Sequence, residues 1–86
     1  MNEKILENRE KIDKADEQIF DLLLERLDAA TAIGHIKKQE GLPVLDQERE
    51  NAIYAKIDAR FSAAEASFLK SIYQSIISES KKVQEL

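Results

Sequence analysis

Four basic residues occupy positions where the sequence otherwise places apolar side chains. Arg9, Arg26 and Lys37 interrupt an apolar series that advances by alternating steps of three and four, the spacing of one helix face. Arg49 interrupts a similar face in a second segment. A charge at a core-facing position is costly unless it meets an opposite charge or a charged ligand. Because arginine can hold a carboxylate through two parallel hydrogen bonds, the pattern favours a pocket for a small carboxylate anion.

The spacing of these cations limits which of them can meet on one ligand. Arg26 and Lys37 lie about 16 Å apart along a helix axis, so two long side chains could converge. Arg9 lies about 25 Å before Arg26, which is too far for the same ligand. If Arg9 serves a site, it is therefore the site of a partner chain. On periodicity alone, the more common explanation is a coiled-coil-like dimer in which these residues set the register or form interhelical ion pairs.

Two helices are predicted to carry these cations. The segment 2–39 contains no Pro and one Gly, so it reads as one uninterrupted helix. Gly41 suits a left-handed C-terminal position and Pro43 forbids continuation. Asp46 then caps a second helix, predicted over about 46–60.

A third helix follows, predicted over about 63–84. Ser62 and Glu65 form the Ser-x-x-Glu capping box just before an apolar run. The fold class is therefore all-α, a three-helix chain with a very long first helix. At about 1.5 Å per residue that helix is too long for a compact monomer of this size, so we expect a homodimer of intertwined helices.

Composition narrows the classes of function. The chain has 86 residues with 13 Lys and Arg against 17 Asp and Glu, a formal charge of −4, and is expected to form one domain over 1–86. This acidic balance argues against a nucleic-acid partner or a basic membrane-surface helix. The absence of Cys fits a reducing, cytoplasmic location, and we expect neither a signal peptide nor a membrane span. His35 lies off the apolar face, so we expect it to face solvent, and we expect no metal site.

From about Arg9 to Gln84 the chain resembles the all-helical, class II chorismate mutases of the AroQ type. Five segments match in order and spacing: 9–13, 22–26, 33–37, 43–50 and 76–84. The resemblance implies conversion of chorismate to prephenate, a Claisen-type [3,3] rearrangement in phenylalanine and tyrosine biosynthesis. It also implies a homodimer with antiparallel first helices, no cofactor, and possible association with another aromatic-pathway enzyme.

The resemblance also assigns roles to individual residues. Arg9 of the partner chain and Arg26 would bind the two substrate carboxylates, with Ser80 assisting. Lys37 and Gln84 would donate hydrogen bonds to the ether oxygen, where negative charge develops in the transition state. Because an amide donates at any pH, we expect little change of activity between about pH 6 and 8.

The remaining residues lie at the ring hydroxyl. Glu50 would accept a hydrogen bond from this hydroxyl, while Asp46 and Arg49 would shape that end of the pocket. Two alternatives remain: an isochorismate-pyruvate lyase of related architecture, and a non-enzymatic helical dimerisation module. The complete group at 46, 49 and 50 favours the mutase over the lyase.

Overall fold

The computed structural model describes residues 2–86 and consists of three α-helices joined by short connections. Helix α1 spans Glu3–Glu40, α2 spans Gln47–Arg60 and α3 spans Ala63–Gln84. The all-α fold class with a very long first helix is therefore confirmed. The structure places α1 one residue later at both ends than the sequence predicts, and α2 begins directly after its capping residue Asp46.

The capping residues explain why the helices begin where they do. The Asp46 carboxylate accepts a hydrogen bond from the Arg49 backbone N–H at 3.0 Å, satisfying one donor at the start of α2. At α3, Ser62 Oγ accepts from the Glu65 N–H at 3.2 Å, and Glu65 Oε1 accepts from the Ser62 N–H at 3.1 Å. This reciprocal capping box fixes the sharp turn between α2 and α3.

Helix α1 ends at a glycine in the left-handed conformation. Gly41 has φ 68°, and the following Leu42 N–H donates to the Lys37 carbonyl at 2.8 Å. This pattern satisfies carbonyls that the last helical turn leaves without partners. The chain then leaves α1 and returns as α2.

Helix α3 lies between the other two helices and packs against each, whereas the described parts of α1 and α2 do not pack on one another. Helices α2 and α3 form an antiparallel hairpin, with an Asp58–Lys70 ion pair of 2.9 Å towards its closed end. A small core holds the three helices together and consists of Ala30, Ile57, Ala66 and Ile77. This arrangement leaves a space between α1 and α2 that α3 closes on one side.

The N-terminal half of α1 extends away from the α2–α3 hairpin, and the molecule measures 56 × 26 × 15 Å. The apolar face of this half is uncovered in the single chain: Ile12 is 57% exposed and Ile19 48% exposed. The exposed apolar residues of this face recur at helical spacing over several turns and include Ile5, Ile12, Ile19 and Leu23. None of the described helices combines the length and apolar character needed to cross a membrane.

Candidate active site

A cavity of about 380 Å³ occupies the space between α1, α2 and α3. All three helices contribute polar side chains to its wall. Seven of the eight residues singled out from the sequence line it: Arg26, Lys37, Asp46, Arg49, Glu50, Ser80 and Gln84. Ala30, Ile33, Ile53 and Ile77 supply apolar surface in the same wall. The cavity thus combines an apolar lining with a few convergent polar groups, as small-molecule sites commonly do.

Arg26 and Ser80 form the contact between α1 and α3 on one wall. Arg26 Nη1 donates a hydrogen bond to Ser80 Oγ, and this hydroxyl donates to the Ile76 carbonyl at 2.9 Å. Ser80 therefore anchors the guanidinium at one end. Since a guanidinium has five N–H donors, Arg26 keeps several for a ligand.

Lys37 and Gln84 form a second cluster, where α1 and α3 end. The Lys37 ammonium donates to the Val44 carbonyl at 2.9 Å and to Gln84 Oε1 at 3.1 Å. Because an ammonium can only donate, it meets the amide oxygen of Gln84, and the amide Nε2 is left to donate elsewhere. Two of the three ammonium donors are used, so one remains for a ligand.

The close approach of α3 to α1 at this cluster depends on Gly34. A Cβ atom added at Gly34 would lie 2.7 Å from Gln84 Cα and 3.0 Å from the Gln84 carbonyl oxygen. Both contacts are with backbone, which cannot rotate away. The glycine therefore sets how near Gln84 lies to Lys37.

The start of α2 lines the opposite wall with Asp46, Arg49 and Glu50. Asp46 caps the helix, as described above, and holds its first turn in place. The Glu50 side chain, 16% exposed, forms a 3.2 Å ion pair with Lys81 of α3, whose side chain is 36% exposed. Lys81 lines the cavity but was not identified from the sequence, because this pair joins two helices whose relative rotation no local pattern specifies.

The charge of the cavity wall differs from that of the whole chain. Four cationic side chains face two carboxylates, an excess of two positive charges in a protein of net charge −4. The cations are Arg26, Lys37, Arg49 and Lys81, and the carboxylates are Asp46 and Glu50. Such a wall suits a small dianion. Within residues 2–86, His, Asp and Glu form no cluster that could hold a metal ion.

Arg9 lies outside this cavity. It borders a shallow depression on the first turns of α1, formed with Asn2, Lys4, Ile5, Asn8 and Ile12. The intervening α1 turns separate it from Arg26 by about 25 Å along the helix axis. His35 is exposed, as expected from its position off the apolar face.

The fold and the cavity define an all-helical protein with an excess of basic side chains in the cavity between its helices. Residues 8–85 match the family model described as chorismate mutase type II. The chain therefore belongs to this family, and the resemblance noted in the sequence is confirmed.

Individual relatives agree with this assignment. The chain is 46% identical over 57 residues to a chorismate mutase from Methanocaldococcus jannaschii, a match covering 66% of this chain and 58% of that protein. It is 29% identical over 80 residues to a 4-amino-4-deoxychorismate mutase from Streptomyces pristinaespiralis, covering 90% of this chain and 61% of that protein. Both matches thus span less than two thirds of the relative's length.

A solved structure shares the fold over almost the whole chain. It is a conserved hypothetical protein from Pyrococcus furiosus, with a TM-score of 0.82 and 36% sequence identity. The match covers 98% of this chain and 99% of that one. The long α1 and the α2–α3 hairpin are therefore a shared architecture.

Proposed function

We propose that the protein is a chorismate mutase, an isomerase that converts chorismate to prephenate within the inter-helical cavity. The observation that carries this proposal is the cavity wall itself, in a chain that belongs to the chorismate mutase type II family. Chorismate is a dianion with a ring hydroxyl and an ether oxygen. The wall offers an excess of two positive charges, a carboxylate, and a Lys37–Gln84 donor pair.

The proposed mechanism needs positioning and electrostatic stabilisation, because bonds break and form in one pericyclic step. Arg26, held by Ser80, would bind one substrate carboxylate and fix the compact reactive conformation. The remaining ammonium donor of Lys37 and the amide Nε2 of Gln84 would then meet the ether oxygen. The Lys37 ammonium is already held by the Val44 carbonyl and by Gln84 Oε1, and the latter contact also holds the Gln84 amide. Little reorganisation is therefore needed as negative charge develops.

At the other end of the substrate, Glu50 would accept a hydrogen bond from the ring hydroxyl. Arg49 would add positive charge at this wall, and Asp46 would hold the first turn of α2 in register. We assign no metal and no organic cofactor to this reaction, since the rearrangement is intramolecular and requires no nucleophile.

We further propose a homodimer in which Arg9 completes the partner's cavity. The exposed apolar face of α1 and the distance of Arg9 from the cavity of its own chain support this arrangement. Analytical ultracentrifugation should give a dimer for the wild type and monomers for the double variant Ile12→Asp, Ile19→Asp. A wild-type monomer with full activity would contradict the shared site. The single-domain organisation, a cytoplasmic location and association with another aromatic-pathway enzyme stay predictions of the sequence.

The activity is tested by ultraviolet assay of purified protein with chorismate, with chromatographic identification of the product. We expect prephenate from the wild type and a loss of at least about 100-fold in kcat/KM for Arg26→Ala, as for a lost charged contact of about 3 kcal/mol. Arg60→Ala is the matched control, because Arg60 lies at the end of α2, over Phe61 and outside the cavity wall.

Two results would overturn the proposal. A folded wild type that consumes no chorismate would refute it. So would an Arg26→Ala variant as active as Arg60→Ala. Release of pyruvate from isochorismate, without prephenate formation from chorismate, would instead identify the lyase.

A further inference from the structure

The Glu50–Lys81 ion pair joins α2 and α3 at the cavity wall, and the proposed mechanism assigns a role only to its carboxylate. Lys81 Nζ lies 3.2 Å from Glu50 Oε2, which leaves the other carboxylate oxygen, Oε1, to accept from a ligand. Both side chains line the cavity, and the carboxylate is mostly buried. Their charges are therefore screened less than those of a surface pair.

The next residue on α3 provides a contrast. Lys82 pairs with Glu79 of its own helix at 3.0 Å, and both side chains are more than two thirds exposed. Neither the Lys82 ammonium nor its pair belongs to the cavity wall. Lys81 and Lys82 thus carry the same charge, but of the two it is Lys81 that lines the cavity.

The ion pair with Lys81 determines which hydrogen-bond donors of a ligand Glu50 can bind. A neutral hydroxyl can donate to Oε1 while Lys81 remains on Oε2. An ammonium at the same position would bring a second positive charge to within about 5 Å of Lys81, where like charges repel in a partly buried site. In addition, Lys81 already compensates the charge of Glu50, so a cationic donor gains less from the carboxylate.

We propose that Lys81 is a specificity-determining residue that selects a substrate with a neutral hydroxyl facing Glu50 and rejects an analogue with an ammonium there. This inference rests on the proposed function, since it assigns a preference to the same site. One relative, 29% identical to this chain, is named as a 4-amino-4-deoxychorismate mutase, so a related protein is described as acting on the amino analogue.

The test compares kcat/KM for chorismate and for 4-amino-4-deoxychorismate in the wild type and in Lys81→Met. The ratio of the two values is the readout. Both substrates carry the same two carboxylates, so any general weakening of anion binding or of the fold cancels in the ratio. We expect Lys81→Met to lower the preference for chorismate by about 10- to 100-fold.

Two further variants make the result specific. Lys82→Met removes the same charge from the neighbouring position outside the cavity, and its ratio should equal that of the wild type. Lys81→Arg keeps a cation beside Glu50, so it should retain at least most of the preference.

The inference is overturned if Lys81→Met keeps the wild-type ratio, or if Lys82→Met changes the ratio equally. A wild type that turns over neither substrate would refute the proposed function itself. Conversion of chorismate by the wild type with an unchanged ratio in Lys81→Met would refute only the role of Lys81. Circular dichroism of each variant confirms that folded proteins are compared.

Discussion

Replacing Gly34 with alanine would force α1 and α3 apart at the Lys37–Gln84 cluster. The new Cβ would lie 2.7 Å from Gln84 Cα, whereas carbon atoms in contact prefer at least about 3.5 Å. The helices must therefore separate by about 0.8 Å. If this shift reaches the side chains in full, the 3.1 Å hydrogen bond from Lys37 to Gln84 opens to about 3.9 Å, beyond hydrogen-bonding distance.

We expect Gly34→Ala to affect catalysis more than stability. A misplacement of about 1 Å in a reacting group can lower a rate by about 100-fold, so we expect kcat to fall 10- to 100-fold with a smaller change in KM. The effect on stability is smaller, because overpacking costs about 1–3 kcal/mol and replacing a helical glycine with alanine returns about 1 kcal/mol.

Steady-state kinetics and urea denaturation separate the two effects. Gly41→Ala is a useful control, because Gly41 has φ 68° and a Cβ there would meet nothing within 4 Å. Alanine in this left-handed conformation should cost about 1 kcal/mol of stability through backbone strain while leaving Gln84 in place. A Gly34→Ala variant with wild-type kcat, or a Gly41→Ala variant with an equal loss of kcat, would refute the reasoning.

Three further substitutions have distinct expected outcomes. Gln84→Glu should make kcat fall roughly tenfold per pH unit between about pH 6 and 8, because only a protonated carboxyl can donate to the ether oxygen and Lys37 beside it favours the ionised form. The wild-type profile should be flat, and a flat Gln84→Glu profile would contradict the donor role. Lys37→Met should lower kcat by about 100- to 1,000-fold with little change in KM. An effect confined to KM would mean that Lys37 binds the substrate and the transition state equally, which contradicts its proposed role. Ser62→Ala should lower the free energy of unfolding by about 1 kcal/mol in urea denaturation through loss of the capping box, and unchanged stability would show that the cap contributes nothing.

Local signals in the sequence predicted the helices well. Gly41 and the capping residues Asp46 and Ser62 act within one turn, so their effects do not depend on the rest of the fold. The length of α1 and its uninterrupted composition likewise predicted that Arg9 would lie far from Arg26.

The site was predictable to the extent that its residues interrupt apolar helix faces. A charged residue at a core-facing position stands out in one sequence, which is how Arg26 and Lys37 were found. The roles proposed for Ser80 and Gln84, in contrast, rest on the family resemblance, because a single polar residue near a helix end carries no specific signal.

Contacts between helices could not be predicted from the sequence. The Glu50–Lys81 ion pair depends on how the α2–α3 hairpin is rotated, and the approach of Gln84 to Gly34 depends on where α3 crosses α1. Both are set by side-chain packing across the whole molecule. For the same reason the exposed apolar face of α1 does not specify the geometry of the proposed dimer.

Mixing two inactive variants tests most directly whether the proposed site is built from two chains. In a symmetric dimer of Arg9→Ala with Arg26→Ala, one cavity would hold both arginines and the other neither. After random subunit exchange, verified by native mass spectrometry, the mixture should recover about a quarter of wild-type chorismate turnover, since half of the dimers are mixed and each has one intact site. A mixture no more active than its parents, despite complete exchange, would contradict the shared site.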